Sequence, residues 1–114
     1  MQINIKAKNI DLTEELKKYI NEKVEMLEKY IGNAHVLNCD VEVEKIAGGQ
    51  NSGEIYRAEI NLEMQGELLR IEKTEKDINK AIDKAKDHMI RSIKKYKEKK
   101  ISKKRKEENK IIKN

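Results

Sequence analysis

The stretch Ile55-Tyr56-Arg57-Ala58-Glu59-Ile60-Asn61-Leu62-Glu63-Met64, followed by Gln65-Gly66 and then Glu67-Leu68-Leu69-Arg70-Ile71-Glu72, decides the fold. Tyr56, Ala58, Ile60, Leu62 and Met64 recur at every second position, the period of a strand with one buried face. A helix would space them three and four apart. Gln65-Gly66 supplies a two-residue turn whose glycine accepts the positive φ of a tight hairpin, and a fourth strand carrying Leu69 and Ile71 returns beside the third.

Upstream, alternation resumes from Ala34 to Lys45, with His35, Leu37, Cys39, Val41 and Val43 on one face and Asn38, Asp40, Glu42 and Glu44 on the other. Gly48, Gly49, Asn51, Ser52 and Gly53 form a flexible turn into the third strand, so three strands make an antiparallel meander. At the start of the chain Ile3, Ile5 and Ala7 alternate with Asn4, Lys6 and Lys8, which predicts a first half-buried strand. Thr13 offers an N-cap oxygen, Glu14 and Glu15 suit the positive end of a helix, and Leu16, Ile20, Val24, Leu27 and Ile31 follow at helical steps up to a C-terminal Gly32. His35 reads as a strand-end core or boundary residue.

Downstream, Ile78, Ile82, Ala85, Met89, Ile93 and Tyr96 predict a helix from about Asp77 to about Lys100. Residues Ser102 to Asn114 are lysine-rich, with Ile111 and Ile112 their only apolar pair, and read as a nearly structureless tail. The order is β-α-β-β-β-α. A sheet with one apolar face and two amphipathic helices predicts an α+β two-layer sandwich, a four-stranded sheet with both helices packed on one face. Residues 1–100 form the domain and 101–114 a basic tail.

The 114 residues suffice for one modest core. With aromatics at 4% and no Trp or Phe, an aromatic-lined pocket for a small molecule is hard to build, and charged residues at 41% direct attention to a surface. The single Cys39 cannot form an internal disulfide, and no signal peptide or membrane span is present, so a cytoplasmic protein without a membrane partner is expected. Charge is unevenly spread: Met1 to Glu75 carries ten Lys and Arg against fifteen Asp and Glu, whereas Lys76 to Asn114 carries sixteen against six. An anionic partner, nucleic acid above all, belongs at the C-terminal third.

On a helical wheel at about 100° per residue with Lys80 at zero, Arg91 falls near 20°, Lys84 near 40°, Lys95 near 60° and His88 near 80°, opposite an apolar stripe at roughly 140° to 220°. Lys94 borders this ridge, and Asp83 and Asp87 dilute one edge. A solvated face is the ordinary meaning of a lysine row. Here few carboxylates compensate it, it spans four turns and it runs on into the basic tail, which favours a phosphate backbone as its partner. On the first helix Lys17, Lys18 and Lys29 lie on the polar side, while Lys23 falls inside the apolar arc and either reaches past the helix edge to phosphate or pairs with a carboxylate of the neighbouring helix.

The outward sheet face carries Asp40, Glu42, Glu44, Glu59, Glu63 and Glu72 against Lys6, Arg57 and Arg70, which argues against bases stacking on the sheet. Catalysis finds no support: His35 and His88 lie on separate elements, Cys39 sits among apolar residues, and no phosphate loop or metal-ligand spacing occurs, so no enzyme, metal or cofactor is expected.

Three segments, MQINIKAKNIDLTEEL (1–16), EKVEMLEKYIGN (22–33) and AIDKAKDHMIRSIKKYKEK (81–99), resemble the ribosome hibernation-promoting factor and ribosome-associated inhibitor family. The resemblance implies a fold akin to the double-stranded RNA-binding domain, seated in the small-subunit channel for messenger RNA and the A- and P-site transfer RNAs, where it blocks translation by occlusion. It implies rRNA contacts from Lys23, Lys29, Arg91 and Lys95, to which the ridge adds Lys80, Lys84, His88 and Lys94. Met26 and His88 stand where lysine is common and Ser92 where glutamine is common, while Ile78-Asn79-Lys80 replaces a Met-Tyr pair; these departures bear on individual contacts. Long members add a C-terminal domain that pairs ribosomes, and a short-type factor lacking it is expected. Two alternatives stand beside this reading: a free double-stranded RNA-binding module, and a protein-binding transcription regulator acting through the acidic sheet or the tail.

Overall fold

A computed structural model describes residues 1–46 and 53–112 of the chain. The elements are β1 (Ile3–Lys8), α1 (Glu14–Glu25), α2 (Glu28–Ile31), β2 (Val36–Ile46), β3 (Ile55–Met64), β4 (Glu67–Glu75) and α3 (Ile78–Ile112). The strands form one sheet in the order β1-β2-β3-β4, with the helices covering one face, as the periodicities predict. The turn expected at Gly48, Gly49, Asn51 and Ser52 lies outside the described residues.

The β2-β3-β4 meander is antiparallel, and Leu62 faces Leu69 across the Gln65-Gly66 turn, where Gly66 takes φ +85°. β1 pairs with β2 in parallel, Ile3 with Cys39, Ile5 with Val41 and Ala7 with Val43, because the intervening helix carries the chain back to the same end of the sheet. Asn9, in the left-handed region at φ 58°, turns the chain out of β1, and Thr13 Oγ1 then accepts the Leu16 N–H at 3.1 Å as the predicted N-cap.

The sheet's inner row (Cys39, Val41, Val43, Ala58, Ile60, Leu62, Met64, Leu69) packs against Ile20, Val24, Leu27 and Ile31 on one side and Ala81, Ile82, Ala85, Met89, Ile93 and Tyr96 on the other. Cys39 is fully buried, and burial pushes its thiol up to about 11, which suits a core residue and not a nucleophile. The Tyr96 hydroxyl donates to the Gln65 carbonyl at 2.6 Å, tying α3 to the β3-β4 hairpin.

Four expectations need correction. The first helix is not continuous: Met26 and Leu27 donate to residues three back, at 3.3 and 3.0 Å, and a tightened turn separates α1 from α2. A register shift between Val36 and Asn38 reverses the alternation at the start of β2, so Val36 packs on the core while Leu37 turns outward, 56% exposed; His35, just before the strand, is exposed too. Tyr56 is half-buried, not buried, because its hydroxyl reaches Glu54 at 2.9 Å near the strand end. Finally, α3 does not stop near Lys100 but runs to Ile112. Residues 101–112 contain no Gly or Pro and are mostly Lys, Arg and Glu, all good helix formers, although side chains 101–106 are exposed and pack on nothing.

Candidate nucleic-acid interface

α3 lies across the helical layer with one flank toward the β4 edge and the other toward α1 and α2. Because its stripe is anchored in the core, the opposite crest points to solvent, and Lys80, Lys84, Arg91 and Lys95 are exposed along it over about 22 Å. Among the described residues Lys80, Arg91, Lys94 and Lys95 make no ion pair. Lys84 does: it binds Glu75 at the end of β4 and holds that carboxyl below the usual range.

On the β4 flank, His88 is half-buried and its Nδ1 has no hydrogen-bond partner among the described residues. Burial first, and then Lys73, Arg91 and Lys95, hold the imidazole below its ordinary value. His88 is therefore neutral near pH 7 and adds no cation to the ridge. Lys73 is a neighbour that the wheel alone does not reveal. It shares strand parity with Leu69 and Ile71, so the helix-facing row of this edge strand ends in charges, Lys73 and Glu75.

The opposite flank of α3 meets the first helical layer at Tyr30. The Lys29 and Lys94 ammonium groups lie 5.1 and 5.3 Å from the Tyr30 ring centroid, and Lys97 Nζ donates to the Tyr30 carbonyl at 3.0 Å. Three cations thus gather on one residue, a concentration that an anion would relieve. Gly32, at φ +57°, permits this closeness, since a Cβ there would sit 3.2 Å from Lys97 Nζ. Lys97 was not singled out by the sequence, although its wheel position, at roughly 260°, places it on this flank.

Lys23 takes the second of its two sequence readings. Its Nζ lies 3.6 Å from Asp83 on α3 and 5.4 Å from the Tyr19 ring centroid, and the Tyr19 hydroxyl donates to both Asp83 oxygens at 2.9 Å. Burial, then Asp83, pushes the Tyr19 hydroxyl up to about 12. The eight sequence-selected residues consequently divide into an exposed crest (Lys80, Lys84, Arg91, Lys95), a pair over the Tyr30 ring (Lys29, Lys94), a neutral flank residue (His88) and a cation already paired with Asp83 (Lys23).

Among the described residues no cluster of three or more His, Cys, Asp and Glu side chains is placed to hold a metal ion, and no helix is long and apolar enough to cross a membrane. The arrangement offers fixed positive charge to a polyanion.

Residues 3–101 match the protein family described as Sigma 54 modulation protein / S30EA ribosomal protein. The Ribosome hibernation promotion factor of Lactococcus lactis subsp. cremoris is 29% identical over 101 residues, covering 85% of this chain and 50% of that protein. The Ribosome hibernation promoting factor of Escherichia coli strain K12 is 26% identical over 99 residues, 87% of this chain and 96% of that protein. The chain therefore spans about half the length of the first of these and nearly all of the second. The crystal structure of the Thermus thermophilus Protein Y N-terminal domain superposes with a TM-score of 0.70 at 26% identity, over 84% of this chain and 99% of that one.

Proposed function

Because this chain belongs to the Sigma 54 modulation protein / S30EA ribosomal protein family, we propose that it is a ribosome hibernation factor that binds the small ribosomal subunit and inhibits translation. The observation that carries the proposal is the row of exposed cations on one side of the fold, Lys80, Arg91, Lys94 and Lys95, that make no ion pair among the described residues, with Lys29 and Lys97 beside them. Ammonium and guanidinium groups at successive helical turns meet backbone phosphates and release their counterions, a contact that reads the shape of folded RNA more than its sequence.

The inhibition is steric. A rigid domain lying with α3 against rRNA in the messenger RNA and A/P-site transfer RNA channel denies that space to the translation substrates. No bond is made or broken, and the effect reverses when the factor leaves. Residues 1–100 form the bound domain in this proposal, and the exposed basic segment from residue 101 adds long-range attraction to RNA.

Sedimentation with purified small subunits, large subunits and a short RNA duplex in the same buffer tests this reading. Retention by small subunits together with arrest of a cell-free translation reaction is the expected outcome. Equal binding to the isolated duplex, without arrest, would instead favour a free double-stranded RNA-binding module.

A further inference from the structure

We infer that the outer face of the sheet, at the end near the β3-β4 turn, is a docking site for a short amphipathic protein helix carrying cations between two apolar residues. Leu37 and Leu68 are 56% and 53% exposed there, and the register places them on either side of Glu63, which is the Cα partner of both Asn38 and Leu68. Leu37 is on this face because of the irregularity at the start of β2; regular alternation with Cys39 would have turned it toward the core. Glu63 is exposed and, among the described residues, has no hydrogen-bond or ion-pair partner.

Beside them Asp40 is held in place by Asn38 at 2.8 Å and Asn4 at 3.2 Å, so the carboxylate side of the site is preformed. Strands are spaced roughly 4.8 Å apart, so two strand widths separate Leu37 from Leu68 by about 10 Å, with a carboxylate midway. Two turns of α-helix advance about 10.5 Å, so a helix crossing the strands would set apolar residues at i and i+7 on the two leucines and a Lys or Arg at i+3 or i+4 on Glu63.

Charge selects this occupant. Asp40 and Glu63 repel RNA and anionic lipid, whereas a basic helix gains from both; the neighbouring Arg70 is already drawn to Glu59 at 3.3 Å, and Glu67 at the strand end to Lys99 at 3.8 Å. A second copy of this chain does not match the pattern with its own exposed basic segment: Ile101 is followed by Lys104 and Arg105, but position 108 is Glu. The face lies on the opposite side of the sheet from α3, so it stays open when the crest is covered. The inference is independent of the ribosome proposal.

The test is an anisotropy titration of the full chain with a fluorescein-labelled helical peptide in an alanine-glutamine background, bearing two leucines two turns apart and lysines midway. Saturable binding is expected, weakened about tenfold or more by Leu37→Ser with Leu68→Ser and, separately, by Glu63→Lys, but not by Lys80→Glu with Arg91→Glu. Circular dichroism of each variant verifies the fold. Equal binding of a peptide whose leucines are replaced by glutamine, or unchanged binding by the sheet variants, would overturn the inference. Concentration-dependent dimers of the chain alone, abolished by the leucine substitutions, would overturn it in favour of a second copy.

Discussion

The crest of α3 and the outer face of the sheet are both crowded with charge, yet they treat it oppositely. At the centre of the sheet Arg57 is only 12% exposed and binds Glu42 at 2.7 Å, Glu44 at 2.9 Å and Glu59 at 2.7 Å, with Glu72 at 3.9 Å. Burial alone would lower its guanidinium, but the hydrogen bonds it donates to Glu44 and Glu59 and the charge of Glu42 outweigh that and hold it above its ordinary value. The crest keeps Lys80, Arg91 and Lys95 free of any such partner among the described residues. Charge density does not mark a binding surface by itself; charge left unneutralised by the fold does.

Six variants probe that contrast, beginning with the largest expected effect. Reversing Lys80, Arg91, Lys94 and Lys95 to Glu should weaken small-subunit binding by on the order of a thousandfold at moderate salt, with an unchanged circular dichroism spectrum. Next, Arg57→Met leaves a knot of carboxylates without its cation and should cost about 2 kcal/mol of stability in urea denaturation while RNA binding stays at the wild-type level. A large loss of RNA binding in this variant, with little loss of stability, would erase the distinction between the two faces.

A smaller effect separates neutralised from free cations within the basic side itself. Glu75→Gln releases Lys84, and Asp83→Asn releases Lys23 from its ion pair, so each should tighten binding a few-fold and steepen the salt dependence by about one phosphate contact. Lys95→Ala, which removes a cation that is already free, should flatten that dependence by a similar amount in a filter-binding series across salt.

The smallest effect concerns His88. Its folded value lies below the ordinary 6.5, so the unfolded chain binds more protons in the window just below 6.5. Stability therefore falls as pH drops through that window, and His88→Gln should remove this part of the decline. A phosphate placed beside the imidazole would raise its affinity for a proton. Binding should then tighten modestly between pH 7.5 and pH 5.5 in wild type and less so in the variant, as isothermal titration at the two pH values would report.

Much of this was readable from the chain because it depends on local period. Alternation at Ile60, Leu62 and Met64, the Thr13 cap and the α3 stripe each fix an element by themselves, and the wheel placed Lys80, Arg91 and Lys95 on one crest without any tertiary information. What escaped depends on pairing across space. Lys84 meets Glu75 only once β4 is docked against α3, the choice between the two readings of Lys23 is made only by the approach of Asp83, and Lys73 and Lys97 matter only through their neighbours His88 and Tyr30. The outward turn of Leu37 comes from a register shift against β3, which no periodicity within β2 announces. The helical state of residues 101–112 escaped for the reverse reason: the segment lacks an apolar stripe, and only intrinsic propensity argues for it.

The central claim, that the unneutralised cations of the helical side lie on ribosomal RNA while the sheet faces away, is tested most directly by acetylating lysines of the free and small-subunit-bound protein and reading each site by mass spectrometry. Lys80, Lys94 and Lys95 should become protected on binding while Lys6 and Lys8, on the outer face of β1, keep reacting. Protection of Lys6 and Lys8 with Lys80 and Lys95 still freely modified would contradict it.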